Sequence, residues 1–509
     1  MQKTNGNLLF SASDLVNFLE CTNLTHLDLK NFDEKLTKAE DDAQAKLIQA
    51  KGLEHEKSFL AKLKAKHPKS VIDIVAICPN RDDQFAATEK AMRDGASIIY
   101  QASFRCGDFL GFADFLRRVD VPSDLGEYSY EVIDTKLSKS AKGKYLIQLC
   151  LYSELLAEIQ GTAPAYTYVV LGTGVEERFR LADYMHYFHT LKERFLEFVK
   201  TNQAPYPTPC EKCDQCHWRE ICNAKWDEDD HLSRVANISK LHIKKLETAG
   251  VTTLEKLGSL TANHPIPKIS DVVLNRLREQ ASLQLQARKT SKPIYKILPA
   301  PTDLGDRPHG FTRMPKPDAG DMFFDMEGNP MEEGGLEYLF GLYIFENGKP
   351  EFKAFWAHNR SEEKIAFEQF IDYVTTRLQQ YPDAFIYHYA PYETTALKKL
   401  MGLHGTRENE VDNLLRNRKF VDLYRVVREA IRISEPSYSI KNLEHFYSKP
   451  REGNVQNAGA SIVAYEKWKE TQDESILKEI ADYNEDDVRS TFQLRDWLEK
   501  LKAEAGITK

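Results

Sequence analysis

Residues 109–136 read FLGFADFLRRVDVPSDLGEYSYEVIDTK, and this stretch decides the fold of the first part of the chain. Its apolar, aromatic and β-branched residues predict strands at residues 109–119 and 128–135, with a turn-forming segment between them. A further strand pattern precedes them at residues 98–104. Each strand of the pair contains one aspartate, Asp114 or Asp134, so we expect two carboxylates on neighbouring strands.

The second strand ends in Asp134-Thr-Lys136, and its period of two puts the carboxylate and the ammonium group on one face. Two such carboxylates can hold Mg²⁺ or Mn²⁺ through oxygen ligands, and the lysine can orient or deprotonate a water. On a helix predicted from about residue 144 to 159, Gln148 and Tyr152 lie four residues apart and share a face. Upstream, His55 lies on a predicted helix and could add a nitrogen ligand.

This set of residues resembles the PD-(D/E)XK nucleases of the RecB type, including the iron–sulphur nucleases of CRISPR adaptation. That family combines an upstream histidine, an aspartate, a D/E-x-K strand and a Q-x-x-x-Y helix in this order. Taken singly, Asp134-Thr-Lys136 could be an exposed strand end and His55 a surface histidine. The resemblance implies a metal site formed by His55, Asp114 and Asp134, and catalytic roles for Asp114, Asp134, Lys136, Gln148 and Tyr152.

Four of the eight cysteines lie in one short segment, at Cys210, Cys213, Cys216 and Cys222. Without a recognisable secretion signal, this spacing indicates metal binding rather than disulfides. The pattern of the last three with the distant Cys21 resembles the cluster-binding pattern of the same nucleases, which implies a 4Fe–4S cluster held by Cys21, Cys213, Cys216 and Cys222. Zinc, or a cluster that includes Cys210, is the alternative. The remaining cysteines are predicted to be buried packing residues: Cys78, Cys106 and Cys150.

Residues 231–290 have a wholly helical pattern that resembles a helix-hairpin-helix module around Gly250-Val251. Such a turn can offer backbone N–H groups to a phosphate, supported here by nearby lysines: Lys240, Lys244, Lys245 and Lys256. A purely structural helical spacer is the alternative. The next segment, residues 291–318, is rich in proline and is predicted to be an extended linker.

A second group of carboxylates lies in the C-terminal part. Asp325 and Glu327 follow the strand residues 322–324 and share one strand face. Near the C-terminus, Tyr483 and Asp487 lie four apart on a predicted helix, and Glu393 follows the strand pattern at residues 385–389. Such a group of carboxylates suits two metal ions, with Tyr483 positioning the attacking water.

The order of these residues resembles the tyrosine-containing branch of the DEDD exonucleases, which have the ribonuclease-H-like fold. The resemblance implies 3′→5′ exonuclease activity, with Asp325, Glu327 and Asp487 as metal ligands. Glu393 stands where that family has aspartate, and its longer side chain could shift a metal ion. Asp422, in Phe-Val-Asp-Leu, is a weaker candidate for the same position.

The strand and helix patterns predict an α/β protein of several domains. The predicted ranges are 1–226 for the RecB-like PD-(D/E)XK domain, 231–290 for the helix-hairpin-helix-like domain and 319–509 for the ribonuclease-H-like domain. The whole chain resembles RecB-like nucleases that combine these parts and are often followed by a superfamily 1 helicase. The sequence contains no Gly-x₄-Gly-Lys-Ser/Thr loop, so we expect any helicase to be a separate chain.

The bulk composition is that of a soluble protein. Of the 509 residues, 42% are hydrophobic and 29% charged, and no apolar run is long enough for a membrane span. The polar N-terminus is unlike a secretory signal, so a cytoplasmic protein without a membrane partner is expected. The net charge of −8 argues only weakly against nucleic acid, because binding depends on local basic surfaces.

The sequence therefore predicts a metal-dependent nuclease with two active sites that acts on DNA, as single strands or at ends. Two other functions are compatible with the same residues. One is a nucleic-acid-binding scaffold in which one or both sites are degenerate, and the other is an RNA exonuclease.

Overall fold

The computed structural model describes residues 1–4, 6–68, 70–261, 264–299, 307–448, 451, 455 and 457–507. The chain forms two compact units, Met1–Cys222 and Asn223–Lys509. None of the described helices is both long enough and apolar enough to cross a membrane.

The first unit is a mixed α/β structure. Its elements are β1 (Gln2–Thr4), β2 (Asn7–Ser11), α1 (Ala12–Glu20), α2 (Thr22–Glu34), α3 (Ala43–Lys66), β3 (Val71–Asp73), α4 (Ile74–Ile77), α5 (Gln84–Arg93), β4 (Ile98–Cys106), β5 (Phe109–Val119), β6 (Ser129–Lys136), α6 (Gly143–Gln160), β7 (Tyr166–Leu171), β8 (Glu176–Arg180) and α7 (Ala182–Thr201). Helix α8 (Arg219–Glu228) contains the boundary between the units.

One eight-stranded sheet organises this unit. The order β1-β2-β5-β6-β7-β8 forms its main path, and β4 pairs with both β3 and β5. Strands β4, β5 and β6 are antiparallel, whereas β6 and β7 are parallel and are connected through α6. Helix α6 is buried on most sides and packs on one face of the sheet, while Leu60 and Leu63 of α3 pack with strand residues in a separate cluster.

The strands predicted around the first candidate site agree closely with the structure. The strand predicted at residues 109–119 matches β5. The strand predicted at residues 128–135 begins and ends one residue later in the structure, as β6. Helices α1 and α2 are separated at Cys21, whose backbone is extended, with φ −158° and ψ 108°. Cys150 is buried as predicted, but Cys106 is exposed and Cys78 only partly buried, so packing does not explain those two.

The second unit begins with helices and continues into a mixed α/β structure. Its elements are α9 (Lys240–Thr248), α10 (Leu254–Gly258), α11 (Asp271–Thr290), β9 (Tyr295–Ile297), β10 (Met322–Asn329), β11 (Leu336–Glu346), β12 (Lys349–Trp356), α12 (Arg360–Gln380), β13 (Ile386–His388), α13 (Tyr392–His404), α14 (Glu408–Arg416), β14 (Phe420–Asp422), α15 (Leu423–Ala430), β15 (Ile431–Ile433), α16 (Ile440–Tyr447), α17 (Ala458–Thr471) and α18 (Glu474–Glu504).

A five-stranded sheet of order β12-β11-β10-β13-β14 forms the centre of this unit. Strands β12, β11 and β10 are antiparallel, and β10, β13 and β14 are parallel, so the sheet is mixed. Neighbouring residues of β10 point to opposite faces: Phe324 packs with α12, and Phe323 packs with α15 and α18. The long helix α18 therefore lies against β10, where the candidate carboxylates begin.

The helical segment has a small core of its own, in which Ile243 and Leu246 of α9 pack with Leu254 and Leu277. It also contacts the rest of its unit, because Gln280 donates a hydrogen bond to the Ile433 carbonyl at 2.8 Å. The expected turn is present, with Gly250 at φ +82°. The N–H groups of Gly250 and Val251, however, donate to the carbonyls of Glu247 and Leu246, so these two amides are already used within the turn.

The predicted extended linker at residues 291–318 needs correction. Tyr295–Ile297 forms β9, which pairs antiparallel with β15, and Phe311 and Met314 are buried in the core beside α15. Backbone pairing and apolar burial outweigh the proline content here, because the prolines flank these packed residues. Residues 300–306, with Pro301, lie outside the described residues.

Candidate active sites

The first group of predicted residues meets where β5 and β6 pair. Phe115 lies opposite Ile133, which brings Asp114 and the end of β6 together. Asp114 Oδ2 accepts hydrogen bonds from the Thr135 N–H at 2.8 Å and from its hydroxyl at 2.7 Å. The carboxylate of Asp114 is therefore fixed beside Asp134, as the sequence predicts.

Asp134 is completely buried, and Lys136 Nζ lies 2.5 Å from its Oδ2. Among the described residues, neither oxygen of Asp134 accepts a well-oriented hydrogen bond. Burial raises the pKa of Asp134, the charge of Asp114 raises it further, and Lys136 partly opposes this rise. The buried carboxylate of Asp134 beside that of Asp114 fits a divalent cation, which would relieve both the repulsion and the desolvation.

Gln148 and Tyr152 share a face of α6, and Gln148 Nε2 donates a hydrogen bond to the Tyr152 hydroxyl at 3.0 Å. Burial raises the pKa of Tyr152, as do the charges of Asp134 and Asp114, so this tyrosine is near both carboxylates. The helix therefore presents the predicted Gln-x-x-x-Tyr pair toward the candidate site.

His55 is placed differently from the other predicted residues. Its Nε2 lies 3.3 Å from the carbonyl oxygen of Val170 on β7. Among the described residues, His55, Asp114 and Asp134 do not form a group whose ligand atoms all lie within 4.8 Å of one another. The next residue on α3, Glu56, interacts electrostatically with Asp114 and Lys136. Its pKa is raised mainly by burial and, to a smaller extent, by the charge of Asp114. Glu56 was not predicted.

The second group contains the closest set of candidate ligands. Asp325, Glu327 and Asp487 offer ligand atoms that all lie within 4.8 Å of one another, and no other such group of His, Cys, Asp or Glu occurs in the described part of the chain. Burial raises the pKa of both Asp325 and Glu327, and in each case the charge of Asp487 adds to the effect. This concentration of buried negative charge fits a site for divalent metal.

Helix α18 completes this group and holds it in place. Tyr483 lies one turn before Asp487. Burial raises the pKa of Asp487, and the Arg451 charge and a hydrogen bond from the Tyr483 hydroxyl partly oppose this rise. Asn484, which is fully buried, donates from Nδ2 to Asp325 Oδ2 at 2.8 Å. Asp325 pairs with Gly341 of β11, so a residue without a side chain lies beneath Asn484.

Glu393 lies in the first turn of α13, where it is buried. Glu393 is not one of the three residues of that group. Its charge raises the pKa of Asp325, but by less than burial and the charges of Asp487 and Glu327 do. His388 Nδ1 lies 3.2 Å from Glu393 Oε2. Asp422 is engaged elsewhere, because its Oδ1 accepts from the N–H groups of Ala390 at 3.0 Å and Arg425 at 3.3 Å.

Two cations border this group of carboxylates. Arg451 Nη1 donates to Asp487 Oδ1 at 2.6 Å, and its Nε donates to Glu444 of α16 at 3.0 Å. Lys441 Nζ lies 5.3 Å from the centre of the Tyr483 ring, and burial lowers its pKa. Positive charge therefore lies beside the carboxylates without entering the group.

Comparison with known families assigns the two parts of the chain that contain these groups of residues. Residues 12–223 match the model of the PD-(D/E)XK nuclease superfamily, and residues 322–499 match that of the RNase H superfamily. The chain contains one domain from each superfamily. No curated protein matches the chain. Among solved structures, the crystal structure of SSO0001 is 18% identical, with a TM-score of 0.21, and the match covers 44% of this chain and 89% of that one.

The resemblance predicted from the sequence is therefore confirmed at the level of both domains. The PD-(D/E)XK domain contains β5, β6 and α6, and the RNase H domain contains β10, α13 and α18. Two nuclease-superfamily domains in one chain support a nuclease that hydrolyses phosphodiester bonds.

The PD-(D/E)XK domain also brings the distant cysteine toward the others. Burial raises the pKa of Cys21, and Cys210 and Cys216 interact with it electrostatically. Asn23 Nδ2 donates to Cys222 Sγ at 3.3 Å, across 199 positions of sequence. Cys210 and Cys213 have their sulphur atoms 3.7 Å apart. In the described residues, however, the cysteines do not form a group whose sulphur atoms all lie within 4.8 Å.

Three residues near the candidate sites escaped the sequence analysis: Glu56, Asn484 and Arg451. Glu56 and Asn484 each directly follow a residue that was singled out, His55 and Tyr483, so their positions on the helices were available. Which side chain turns toward the site depends on the packing of the helix. Arg451 follows α16 and carries no local signal, because its role depends on a contact with a residue far along the chain.

Proposed function

We propose that the chain is a metal-dependent deoxyribonuclease with one active site in each nuclease-superfamily domain, acting on single-stranded DNA or DNA ends. The observation that carries this proposal is the group of Asp325, Glu327 and Asp487, whose ligand atoms lie within 4.8 Å of one another. Carboxylates packed this closely in a buried position are costly unless a cation binds between them.

In the RNase H domain, Asp325, Glu327 and Asp487 would hold Mg²⁺ or Mn²⁺. When bound, such an ion stabilises charge on the phosphate and lowers the pKa of a bound water. Tyr483 would orient the attacking water, since its hydroxyl contacts Asp487. Glu393 would add a carboxylate beside Asp325, and Asn484 would keep Asp325 in position. By resemblance to the tyrosine-containing DEDD branch, this domain would be a 3′→5′ exonuclease.

In the PD-(D/E)XK domain, Asp114 and Asp134 would hold the divalent ion. Lys136, 2.5 Å from Asp134, would orient or deprotonate the attacking water. Gln148 and Tyr152 would position the substrate beside the two carboxylates. Glu56 is a further candidate ligand, because it interacts electrostatically with Asp114 and Lys136.

The same domain would hold a 4Fe–4S cluster on Cys21, Cys213, Cys216 and Cys222, as its resemblance to the RecB type implies. The backbone N–H of Trp218 donates to Cys216 Sγ at 3.4 Å, and Asn23 donates to Cys222 Sγ at 3.3 Å. Donors of this kind stabilise thiolates, which fits a set of metal ligands. The short Cys210–Cys213 contact supports the alternative of a structural zinc.

The remaining parts of the chain would serve the two sites. We propose residues 231–290 as a nucleic-acid-binding segment that contacts phosphates through Lys240, Lys244, Lys245 and Lys256. We also keep the proposed ranges 1–226, 231–290 and 319–509 for the three domains. We propose that a helicase unwinds duplex DNA for these sites, as the resemblance to the RecB-like nucleases implies.

The test is nuclease activity of the intact protein with Mg²⁺ or Mn²⁺ on end-labelled single-stranded DNA, duplex DNA and matched RNA. We expect Lys136→Ala to remove one activity and Asp325→Asn to remove another, so that the double variant degrades nothing. Chelation with EDTA should stop both activities. Labels at the two ends of the strand report the direction of degradation.

Two matched variants control for unspecific damage. Lys139→Ala removes an exposed lysine near Lys136, and Asp383→Asn changes an exposed aspartate of the RNase H domain; both should retain wild-type rates. If the wild type binds DNA but never degrades it, the protein is a scaffold with degenerate sites. If matched RNA is degraded and DNA is not, the protein is a ribonuclease.

A further inference from the structure

The RNase H domain contains a groove that the two candidate sites do not use. It has a volume of about 780 Å³ and lies along β14, which is the edge strand of the five-stranded sheet. Its walls come from α13, from the end of α14, from the start of α15 and from the turn at residues 310–313. None of the sequence patterns predicted this groove, because its residues come from separate parts of the chain.

The groove is lined by more cations than carboxylates, and two of the cations, Arg313 and Arg425, pair with Glu429. One carboxylate, Asp422, lines it together with five basic side chains: Arg307, Arg313, Lys398, Arg418 and Arg425. Asp422 caps the start of α15 and binds two backbone N–H groups, so it is already engaged. Within the described residues, Lys398 and Arg418 are exposed and form no ion pair. Their charge is therefore available to an anionic ligand.

Apolar and aromatic side chains lie among these cations. Phe385 and Phe420 line the groove and are only partly buried, and Met314 and Leu415 lie beside them. A groove that combines basic side chains with accessible aromatic rings is typical of sites for single-stranded nucleic acid, because bases stack on the rings while phosphates contact the cations. A site for phosphate alone would not need the rings.

The groove also borders the candidate active site of the same domain, because it shares His388 with the surroundings of Glu393. His388, at the end of β13, lines the groove and lies 3.2 Å from Glu393 Oε2. Pro391, which also lines the groove, immediately precedes α13, the helix whose first turn carries Glu393. A strand with its end at the carboxylates would therefore have this groove beside it.

We propose that this groove binds the phosphodiester backbone and bases of a single nucleic-acid strand whose end is held at Asp325, Glu327 and Asp487. Lys398 and Arg418 contact its phosphates, and Phe385 and Phe420 stack with its bases. The inference rests on the proposed function of the RNase H domain and gives that domain a site for the part of the strand that is not being cleaved.

The experiment measures binding separately from cleavage. Full-length Asp325→Asn protein is mixed with a fluorescent single-stranded DNA in EDTA, and anisotropy gives the Kd over a range of salt concentrations. Lys398→Glu with Arg418→Glu should raise the Kd about tenfold, and the salt slope should fall by about 0.7 for each lost contact. The matched control Lys364→Glu reverses an exposed charge of the same domain on α12 and should leave both quantities unchanged.

Photo-crosslinking locates the strand. DNA with 5-bromodeoxyuridine should crosslink to the peptides that contain Phe385 and Phe420, and the charge-reversed variant should lose these crosslinks. Lys398→Arg with Arg418→Lys should restore binding, since only charge at these positions is required. Matched RNA that competes equally would extend the site to both polymers and support the inference.

Two results would overturn the inference. One is a charge-reversed protein with the same Kd, salt slope and crosslinks as the Lys364→Glu control. The other is displacement of the DNA by polyglutamate as effectively as by unlabelled DNA, which would make the groove a surface for acidic proteins. Neither result depends on cleavage. A protein that binds DNA in the groove without degrading it would therefore refute the proposed nuclease activity and leave the groove assignment intact.

Discussion

Asn484 shows how one buried residue can maintain a group of carboxylates. Asn484 donates a hydrogen bond to Asp325. Burial and the charge of Asp487 raise the pKa of Glu327, and a hydrogen bond from Asn484 partly opposes this rise. A Cβ atom added at Gly341 would lie 1.7 Å from Asn484 Oδ1, so only glycine leaves room for this side chain. The conformation of the site therefore depends on a glycine that contributes no ligand.

The first prediction concerns this pair. Gly341→Ala should lower the free energy of unfolding of the RNase H domain by about 1–3 kcal/mol through overpacking. Asn484→Ala should lower the nuclease activity of the RNase H domain about 10- to 100-fold, because Asp325 loses the group that orients it. Calorimetry measures the effect on unfolding. Rates of DNA degradation in the Lys136→Ala background measure the effect on activity.

The double variant Gly341→Ala, Asn484→Ala separates packing from positioning. It should recover much of the lost stability, since the clash partner is gone, and should stay as inactive as Asn484→Ala. Gly402→Ala on α13 is the matched control, because a Cβ there meets no atom within 4 Å. Equal stability of the Gly341→Ala and Gly402→Ala proteins would refute the argument.

The second prediction compares neighbouring residues on α3. Glu56 interacts with the charges of Asp114 and Lys136, whereas His55 lies against the carbonyl of Val170. Glu56→Gln should therefore lower the nuclease activity of the PD-(D/E)XK domain about tenfold or more, because a group that binds or orients the metal is lost. His55→Gln should have a smaller effect. Rates are measured in the Asp325→Asn background, and the reverse order of effects would favour histidine as the ligand.

At the scale of elements, an ion pair holds the turn at residues 310–313 against α15. Glu429 accepts from Arg313 Nε at 2.5 Å and from the Gly310 N–H at 2.8 Å. Burial alone would raise the pKa of Glu429, but the hydrogen bonds from Arg313, Gly310 and Arg425 outweigh it and lower the pKa to about 2. The same turn forms one wall of the cationic groove.

The third prediction follows from this lowered pKa. Because the folded carboxylate has a pKa below its ordinary 4.5, it stabilises the fold above pH 4.5, and this contribution is lost as the pH falls toward 2. Glu429→Gln should therefore cost about 1–3 kcal/mol at pH 7, and the difference from wild type should shrink below about pH 5.

Urea unfolding of both proteins between pH 4 and pH 8 measures this difference. Glu408→Gln, which changes an exposed glutamate at the start of α14, is the matched control and should show no such dependence. A constant difference over the whole range would show that Glu429 contributes by packing and not by its charge.

At the scale of the whole molecule, the proposed cluster would close a long loop in the PD-(D/E)XK domain. Cys21 separates α1 from α2, while the other proposed ligands lie at the end of the domain. Joining such distant residues restricts the unfolded chain strongly, so the loss of one ligand should lower stability.

The fourth prediction tests this closure. Protein purified without oxygen should be brown, and Cys21→Ser should bleach it and lower the thermal midpoint of the first unit by several degrees (roughly, for a loss of a few kcal/mol). Cys210→Ser should do neither. The transition of the second unit should not change. If Cys210→Ser bleaches the protein while Cys21→Ser leaves it brown, the ligand set is local, and colourless protein with one equivalent of zinc favours a structural zinc.

The sequence by itself determined the two nuclease-superfamily domains and most elements around their sites. Strand periodicity located β5, β6 and β10, and the Tyr-x-x-x-Asp spacing placed Tyr483 and Asp487 one turn apart on α18. These properties depend on residues close together in the chain. Local spacing also predicted Asp114 beside Asp134, because neighbouring strands in sequence pair in the sheet.

The tertiary structure alone decided which further side chains reach these positions. Helix α3 places Glu56 where it interacts with the charges of Asp114 and Lys136, and it places His55 against the carbonyl of Val170. Packing of α18 over β11 brought Asn484 onto Gly341, and pairing of β9 with β15 ordered part of the expected linker. The cationic groove likewise joins residues from Arg307 to Arg425. Such contacts depend on long-range packing, for which a linear sequence contains no periodic signal.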